Sequence, residues 1–387
     1  MSYLREQNHV QRRPTLNPPT QFCHNPQCPA RGQVGQGNIR VQSQREQRYR
    51  CTSCGQTFAA TKGTPFYRLR TATELVTIVL TLLSHGCPLQ AIVAAFGADE
   101  RTVATWLRRA GQHGQPVHQH LLQQGQVDLQ HVQADELWVK LVGRRGWMAM
   151  AMAVPSRRWL GGVISPHRDL ALITTLVQLI RGCAHSLAIL VCVAGLANDV
   201  TAFLRVFRHP VRTGHRGRPR LVAEHGVLLG QVVKRYVQRR VVSVERRAVR
   251  GAEAAIATVL ATTGGGSGIN TADIERLKAT FRASLAPLVR RGRAIAHTEA
   301  VLTVGMWLVG CADNFCWLHD SLRMAAPAGA CWKWQGRTPA MAAGLTHHRW
   351  TMLELLRYQV PLPAWVAPKR RGRPPRRAGQ LVTAVAA

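Results

Sequence analysis

An α/β fold class is predicted by three features of the sequence. Residues 131–141 place Val132, Ala134, Leu137, Val139 and Leu141 among polar neighbours, and Gly143-Arg144-Arg145-Gly146 supplies a turn before the apolar run 147–154, the pattern of a β-hairpin. Segments near 73–110, 168–181 and 269–282 carry amphipathic helical spacing. In front of both stand two close cysteine pairs, the mark of a small metal module.

Taken in order, residues 1–20 are rich in Pro, Gln and Arg without periodicity and read as a loose arm. Cys23-x4-Cys28 and Cys51-x2-Cys54 follow, separated by twenty-two residues. Each pair can offer two thiolates from a tight turn, which is what tetrahedral Zn²⁺ needs, so 21–62 reads as a four-cysteine zinc module. His24 could compete as a ligand, but four cysteines already fill the shell. Cys87, Cys183, Cys192, Cys311, Cys316 and Cys331 stand singly or in apolar contexts and read as small core residues.

Residues 66–112 carry three helical patterns. Pro88 suits a first helical turn, Gly97 a stop and Asp99 an N-cap, so the last two helices are joined at helix-turn-helix spacing. In the third helix Val103, Trp106 and Leu107 share the inward face, leaving Glu100, Arg101, Thr105, Arg108 and Arg109 outside as a surface for duplex DNA. The Gln-, His- and Gly-rich stretch 113–127 reads as a polar linker, and His113, His118 and His120 as linker residues rather than a metal tract.

From 128 the hairpin, a third strand at Trp159–Ile164, a helix near 168–181 and the apolar run Leu187–Val193 form the opening of an RNase-H-like domain, taken to extend to 322. Asp135 is the notable residue of its first strand, because Asp is depleted in strands and this one has apolar flanks. Arg216-Gly-Arg218-Pro, and again Arg371-Gly-Arg373-Pro in the tail, resemble peptides that lay two arginines into a narrow minor groove. Residues 230–251 alternate valines with basic residues about a break near 238–240 and read as a basic β-ribbon, a track for DNA. After the GGGSG break, Asn270 and Asp273 suit the start of a helix whose stripe is Ile274, Leu277, Phe281 and Leu285, with Glu275 beside Lys278 and Arg282. Residues 323–387 read as a helical segment followed by a basic tail.

Lys and Arg total 51 against 19 Asp and Glu, a formal charge of +32, so the chain should attract polyanions, with nucleic acid the leading partner. A membrane role is disfavoured, since the N-terminus lacks an apolar signal core and the longest late apolar run, Ala300–Ala312, falls short of the ~20 residues needed to span. A soluble cytoplasmic, nucleoid-associated protein is the expectation.

The order of cysteine module, helix-turn-helix, QADELW on a first strand, INTADIERLKATFR on a late helix, RRGRAIAHTEA and NFCWLH resembles the DDE transposases of bacterial insertion sequences, specifically the insertion-sequence-one (InsAB-like) group, over roughly 21–355. The resemblance implies that Asp135 is the first catalytic carboxylate and Glu275 the third. With a second, they would hold two Mg²⁺ ions for in-line attack on a phosphodiester during DNA cleavage and strand transfer. It also implies a homo-oligomer that pairs two element ends. The chain departs from the pattern at the second carboxylate, where Leu190-Val-Cys-Val-Ala194-Gly195 places Ala194 at the expected Asp. Asp199 is the acid nearest by and would have to reach back to the strand end. Asp273, Lys278 and Asp313 are further departures, at positions where the group tends to have an aromatic, an Asn and an aromatic. A catalytically inactive DNA-binding repressor of transposase descent is the alternative expectation.

Overall fold

The computed structural model describes residues 15–124, 127–212, 214, 217–238, 240–289, 294–326, 329 and 331–367. They divide into two compact units, one holding 15–62 with 361–367 and the other 63–360. The greater part of the N-terminal arm, Arg216, and the tail with Arg371 and Arg373 lie outside the described residues.

In the smaller unit β1 (Ile39–Ser43), β2 (Arg48–Cys51) and β3 (Thr57–Ala59) form an antiparallel sheet in that order. Leu16, Ile39, Tyr49 and Phe58 close around Cys23, Cys28 and Cys51, a core too small to be stable by apolar burial alone. The Tyr49 hydroxyl accepts the Asn17 N–H at 3.0 Å and ties down the segment before the first cysteine.

The larger unit opens with α1 (Thr73–Ser84), α2 (Leu89–Phe96) and α3 (Glu100–Gln124). Gly97, at φ +59°, ends α2 in the left-handed region, and Asp99 caps α3 by accepting the Thr102 N–H at 3.1 Å. The stretch expected to be a linker from 113 is helix as far as Gln124, the second half of α3, with Pro116 inside it. A mid-helix proline costs about 3 kcal/mol. Burial of Val117 and Leu121 on the face that already buries Val103, Trp106 and Ala110 offsets that at roughly 1.5–3 kcal/mol each.

The sheet that follows holds β4 (His131–Leu141), β5 (Arg144–Ala153), β6 (Arg158–Ser165), then after α4 (Leu170–Cys183) β7 (Leu190–Ala194). After α5 (Ala197–Val206) a separate hairpin of β8 (Arg208–Val211) and β9 (Arg220–Ala223) carries Arg218 exposed in its connection. Next come β10 (Leu228–Val237), β11 (Arg240–Arg250), α6 (Glu253–Thr262), α7 (Ala272–Ser284) and α8 (Glu299–Phe315). The main sheet is mixed and six-stranded, in the order β11-β10-β7-β4-β5-β6, with β7 parallel to both β4 and β10.

Strand alternation sends Val132 and Ala134 of β4 to one face, where Leu172, Leu176, Ile180 and Phe203 from α4 and α5 cover them. It sends Leu137, Val139 and Leu141 to the other, against Ile274, Leu277 and Phe281 of α7 and Met306 of α8. The region from 323, expected to be helical, begins within a hairpin of β12 (His319–Ala325) and β13 (Trp334–Arg337), followed by the short α9 (Pro339–Ala342) and α10 (Met352–Arg357).

Candidate metal centre and carboxylate cluster

The four cysteines of the smaller unit converge. The Sγ atoms of Cys23, Cys28, Cys51 and Cys54 all lie within 4.8 Å of one another, with Cys23 to Cys54 at 3.7 Å and Cys28 to Cys51 at 3.9 Å. A tetrahedron built on Zn–S bonds of ~2.3 Å has edges of about 3.8 Å, so the donor set and its size fit zinc. Burial pushes the Cys23 and Cys28 thiols up, whereas at Cys54 burial is outweighed by the Gln56 N–H and neighbouring side chains, which bring it down to about 7. His24 is outside the cluster, its ring packed against Phe22 and Phe58, and burial lowers it to about 4.

On α3 the expected outward face divides. Arg101 and Arg108 are exposed and Thr105 half-buried, but Arg109 turns back, donating to the Pro65 and Tyr67 carbonyls at 3.3 and 2.8 Å. It fastens the helix to the segment before α1 rather than facing outward. His118 is buried, with Nε2 3.1 Å from the Trp159 carbonyl and 2.9 Å from Asn314 Nδ2, while His113 meets the Leu355 carbonyl at 3.3 Å, so the histidines of this stretch serve separate packing contacts. Of the other six cysteines, Cys331 is exposed and is no core residue.

The carboxylates expected on β4 and α7 also converge, and Gln133 is what aligns their elements. Its buried side-chain oxygen accepts the N–H groups of Asp273 and Ile274 at 3.0 and 2.9 Å, capping α7 from the strand. Asp135 lies two residues on along the same face. There Lys278 Nζ contacts Asp135 Oδ2, lies 3.2 Å from Glu275 Oε2 and donates to the Glu136 carbonyl at 3.4 Å. Lys234 of β10 stands 3.5 Å from Glu275 Oε1. Burial pushes the Asp135 carboxyl up, opposed by Lys278. Partial burial pushes Glu275 the same way, but Lys278 and Lys234 together bring it below the usual range.

Ala194 is beside this cluster. The parallel register pairs Ala134 with Val193, so its next step sets Ala194 alongside Asp135, and on its other side Ala194 pairs with Val232. Asp199 goes elsewhere. From the first turn of α5 its buried carboxyl meets Glu136, which alternation points to the face opposite Asp135. Burial first, and then the negative charges of Glu136 and Asp135, raise Asp199 to about 9, so near neutral pH it holds its proton. Arg168 neutralises Glu136, donating from two nitrogens at 2.7 and 3.2 Å, and its guanidinium lies over Trp147.

The residues present do not fit a pair of divalent cations. The position between Asp135 and the neighbouring strand offers a methyl group, and the space between Asp135 and Glu275 holds an ammonium. Glu136, Arg168, Gln133 and Lys234 were not foreseen from the sequence. Lys278 was foreseen as a neighbour of Glu275 and as a departure from the transposase pattern but not as buried, although it occupies an i+4 position of the Ile274–Phe281 stripe, the signal for burial. No family model matches the chain, and no curated protein matches it.

Proposed function

We propose that this protein is a DNA-binding protein of DDE-transposase descent, which engages duplex DNA at the ends of an insertion sequence and whose cleavage and strand-transfer step is impaired. The observation that carries the reading is the convergence of Asp135 and Glu275, far apart in the chain, at one place on a sheet. Three antiparallel strands, a helix and a parallel fourth strand agree with an RNase-H-like frame, and α1 to α3 with a helix-turn-helix. Ala194 accounts for the impairment: it supplies neither the charge nor the oxygen that a bridging carboxylate gives two Mg²⁺ ions.

Duplex DNA suits the surface. Arg235 of β10 and Arg240 of β11 lie at the far end of a ribbon open to solvent, with Tyr236 60% and Val242 58% exposed, whereas Lys234, Arg246 and Arg247 are held by Glu275, the Ile269 carbonyl and Glu245. A two-stranded ribbon has the width to enter a major groove. Arg101, Thr105 and Arg108 offer a second contact, and Zn²⁺ would hold the cysteine module. Pairing of two ends by a homo-oligomer and a nucleoid-associated place in the cytoplasm complete the reading. No described helix is long and apolar enough to cross a membrane.

A second reading, a repressor that occupies element ends without cutting them, is favoured by Lys278, whose ammonium holds the two carboxylates without metal. Gel-shift and strand-transfer assays on duplexes carrying the DNA on either side of the reading frame test both. Sequence-selective binding with little or no joining supports the proposal. Absence of selective binding overturns it, and efficient joining by the unaltered chain overturns the impairment.

A further inference from the structure

We infer that Lys278 is a tethered cation in the place of the divalent ions, so that the Asp135–Glu275 cluster is closed to metal and holds β4 to α7 as a metal-independent ion-pair hub. The replacement of divalent ions rests on the descent proposed above, whereas the hub itself rests on geometry. An ammonium has three N–H groups, and Lys278 has three acceptors: Asp135 Oδ2, Glu275 Oε2 and the Glu136 carbonyl. The Lys278 and Asp135 side chains are only 6% and 8% exposed, so water does little to screen the pair.

Charge balance agrees. Two carboxylates, Asp135 and Glu275, face two ammonium groups, Lys278 and Lys234, and the cluster is neutral as it stands. A third carboxylate at position 194 would leave it with one negative charge in excess, while Lys278 still filled the space between the acids. Loss of that acid and gain of a lysine are thus complementary changes: each alone leaves a buried charge unbalanced, and together they remove the need for metal. Of the other two departures from the transposase pattern, one has a cation beside it and the other a histidine. Asp273 pairs with Arg157, and Asp313 lies 3.2 Å from His319 Nε2.

It follows that Ala194→Asp by itself does not rebuild a metal site, because Lys278 remains between the acids. The test uses the full-length zinc-loaded protein and titrates it with MnCl2, following the free-ion signal by electron paramagnetic resonance. The unaltered chain and Ala194→Asp should show no Mn²⁺ binding that Asp135→Asn abolishes. Ala194→Asp with Lys278→Asn should show such a site, with affinity raised by about tenfold or more. The inference is overturned if the unaltered chain has an Asp135-dependent Mn²⁺ site, or if Ala194→Asp alone binds as tightly as the double variant. Should the double variant fail to fold, melting of the unaltered chain with and without about 10 mM MgCl2 decides. An unmoved midpoint supports closure, and a rise abolished by Asp135→Asn overturns it. Duplex binding measured alongside separates the two ideas, since a chain that ignores DNA defeats the proposed function while leaving the metal result intact.

Discussion

The side-chain oxygen of Gln133 accepts the backbone N–H of Ile274 at 2.9 Å, so a residue near the start of β4 caps the first turn of helix α7. It accepts from Asp273 as well. Gln133→Leu leaves two helix N–H groups without that partner in a buried place and should cost about 1–3 kcal/mol in urea unfolding. Gln133→Glu keeps an acceptor at a helix N-terminus and should stay closer to the unaltered protein. Equal stability of the Leu variant would show that the cap contributes nothing.

The cysteine module should contain one equivalent of zinc. Its core is small, so chelation should unfold residues 21–60, visible as the disappearance of ordered amide signals from that region. Less than half an equivalent in carefully prepared protein, or unchanged signals after chelation, contradicts this.

Asp199 gives the larger unit a pH dependence of definite sign. Its folded value, raised to about 9 by burial and by Glu136 and Asp135, lies above the unfolded 3.8, so the native state holds a proton that the unfolded chain releases. This contribution is fully present below pH ~4, falls as pH rises through the window, and is lost above about 9, with a slope approaching about 1.4 kcal/mol per pH unit. Asp199→Asn should therefore stabilise the fold more at pH 8 than at pH 5. Parallel stability curves for the two proteins would rule out a buried protonated Asp199.

Removing charge from the ribbon should change salt dependence rather than selectivity. Arg235→Ala with Arg240→Ala should lower the slope of log K against log salt by about 0.9 for each phosphate the ribbon no longer neutralises. Arg101→Ala with Thr105→Ala should instead reduce the preference for element ends, whereas deleting 369–387 should weaken binding to all duplexes alike. An unchanged ranking of DNA sites after the α3 substitutions removes that helix as the reader.

Part of the order of strands and helices was legible because apolar periodicity is local: the hairpin around Gly143, the apolar run Leu187–Val193 that forms Leu190–Ala194, and the stripe from Ile274 to Phe281 each declare themselves within a dozen residues, whereas the β8–β9 and β12–β13 hairpins did not. Contacts that depend on two distant segments were less so. Nothing near His113 states that α3 will continue, since the apolar face of its second half has meaning only beside α8. Asp135 and Glu275 were foreseen, but the chemistry between them depends on a lysine whose burial is decided by β4. Arg109 fits an exposed helical face by spacing and is withdrawn by carbonyls of the segment before α1.

The two glycines where α3 meets α8 have a mechanical meaning. A Cβ on Gly111 would stand 2.2 Å from the Val304 carbonyl, and one on Gly114 3.2 Å from Cys311 Sγ, so the two helices touch almost backbone to backbone. Helix α3 is 25 residues long, about 37 Å at 1.5 Å per residue, close to one turn of a DNA duplex. Seated on α8 by this contact, it holds Arg101 and Arg108 at a set distance and rotation from the glycines, so on the DNA-binding reading proposed above it would act as a ruler. One residue inserted between Arg108 and Gly111 would turn the grip by about 100°, and the spacing of any DNA sequence matched to it would have to change in step.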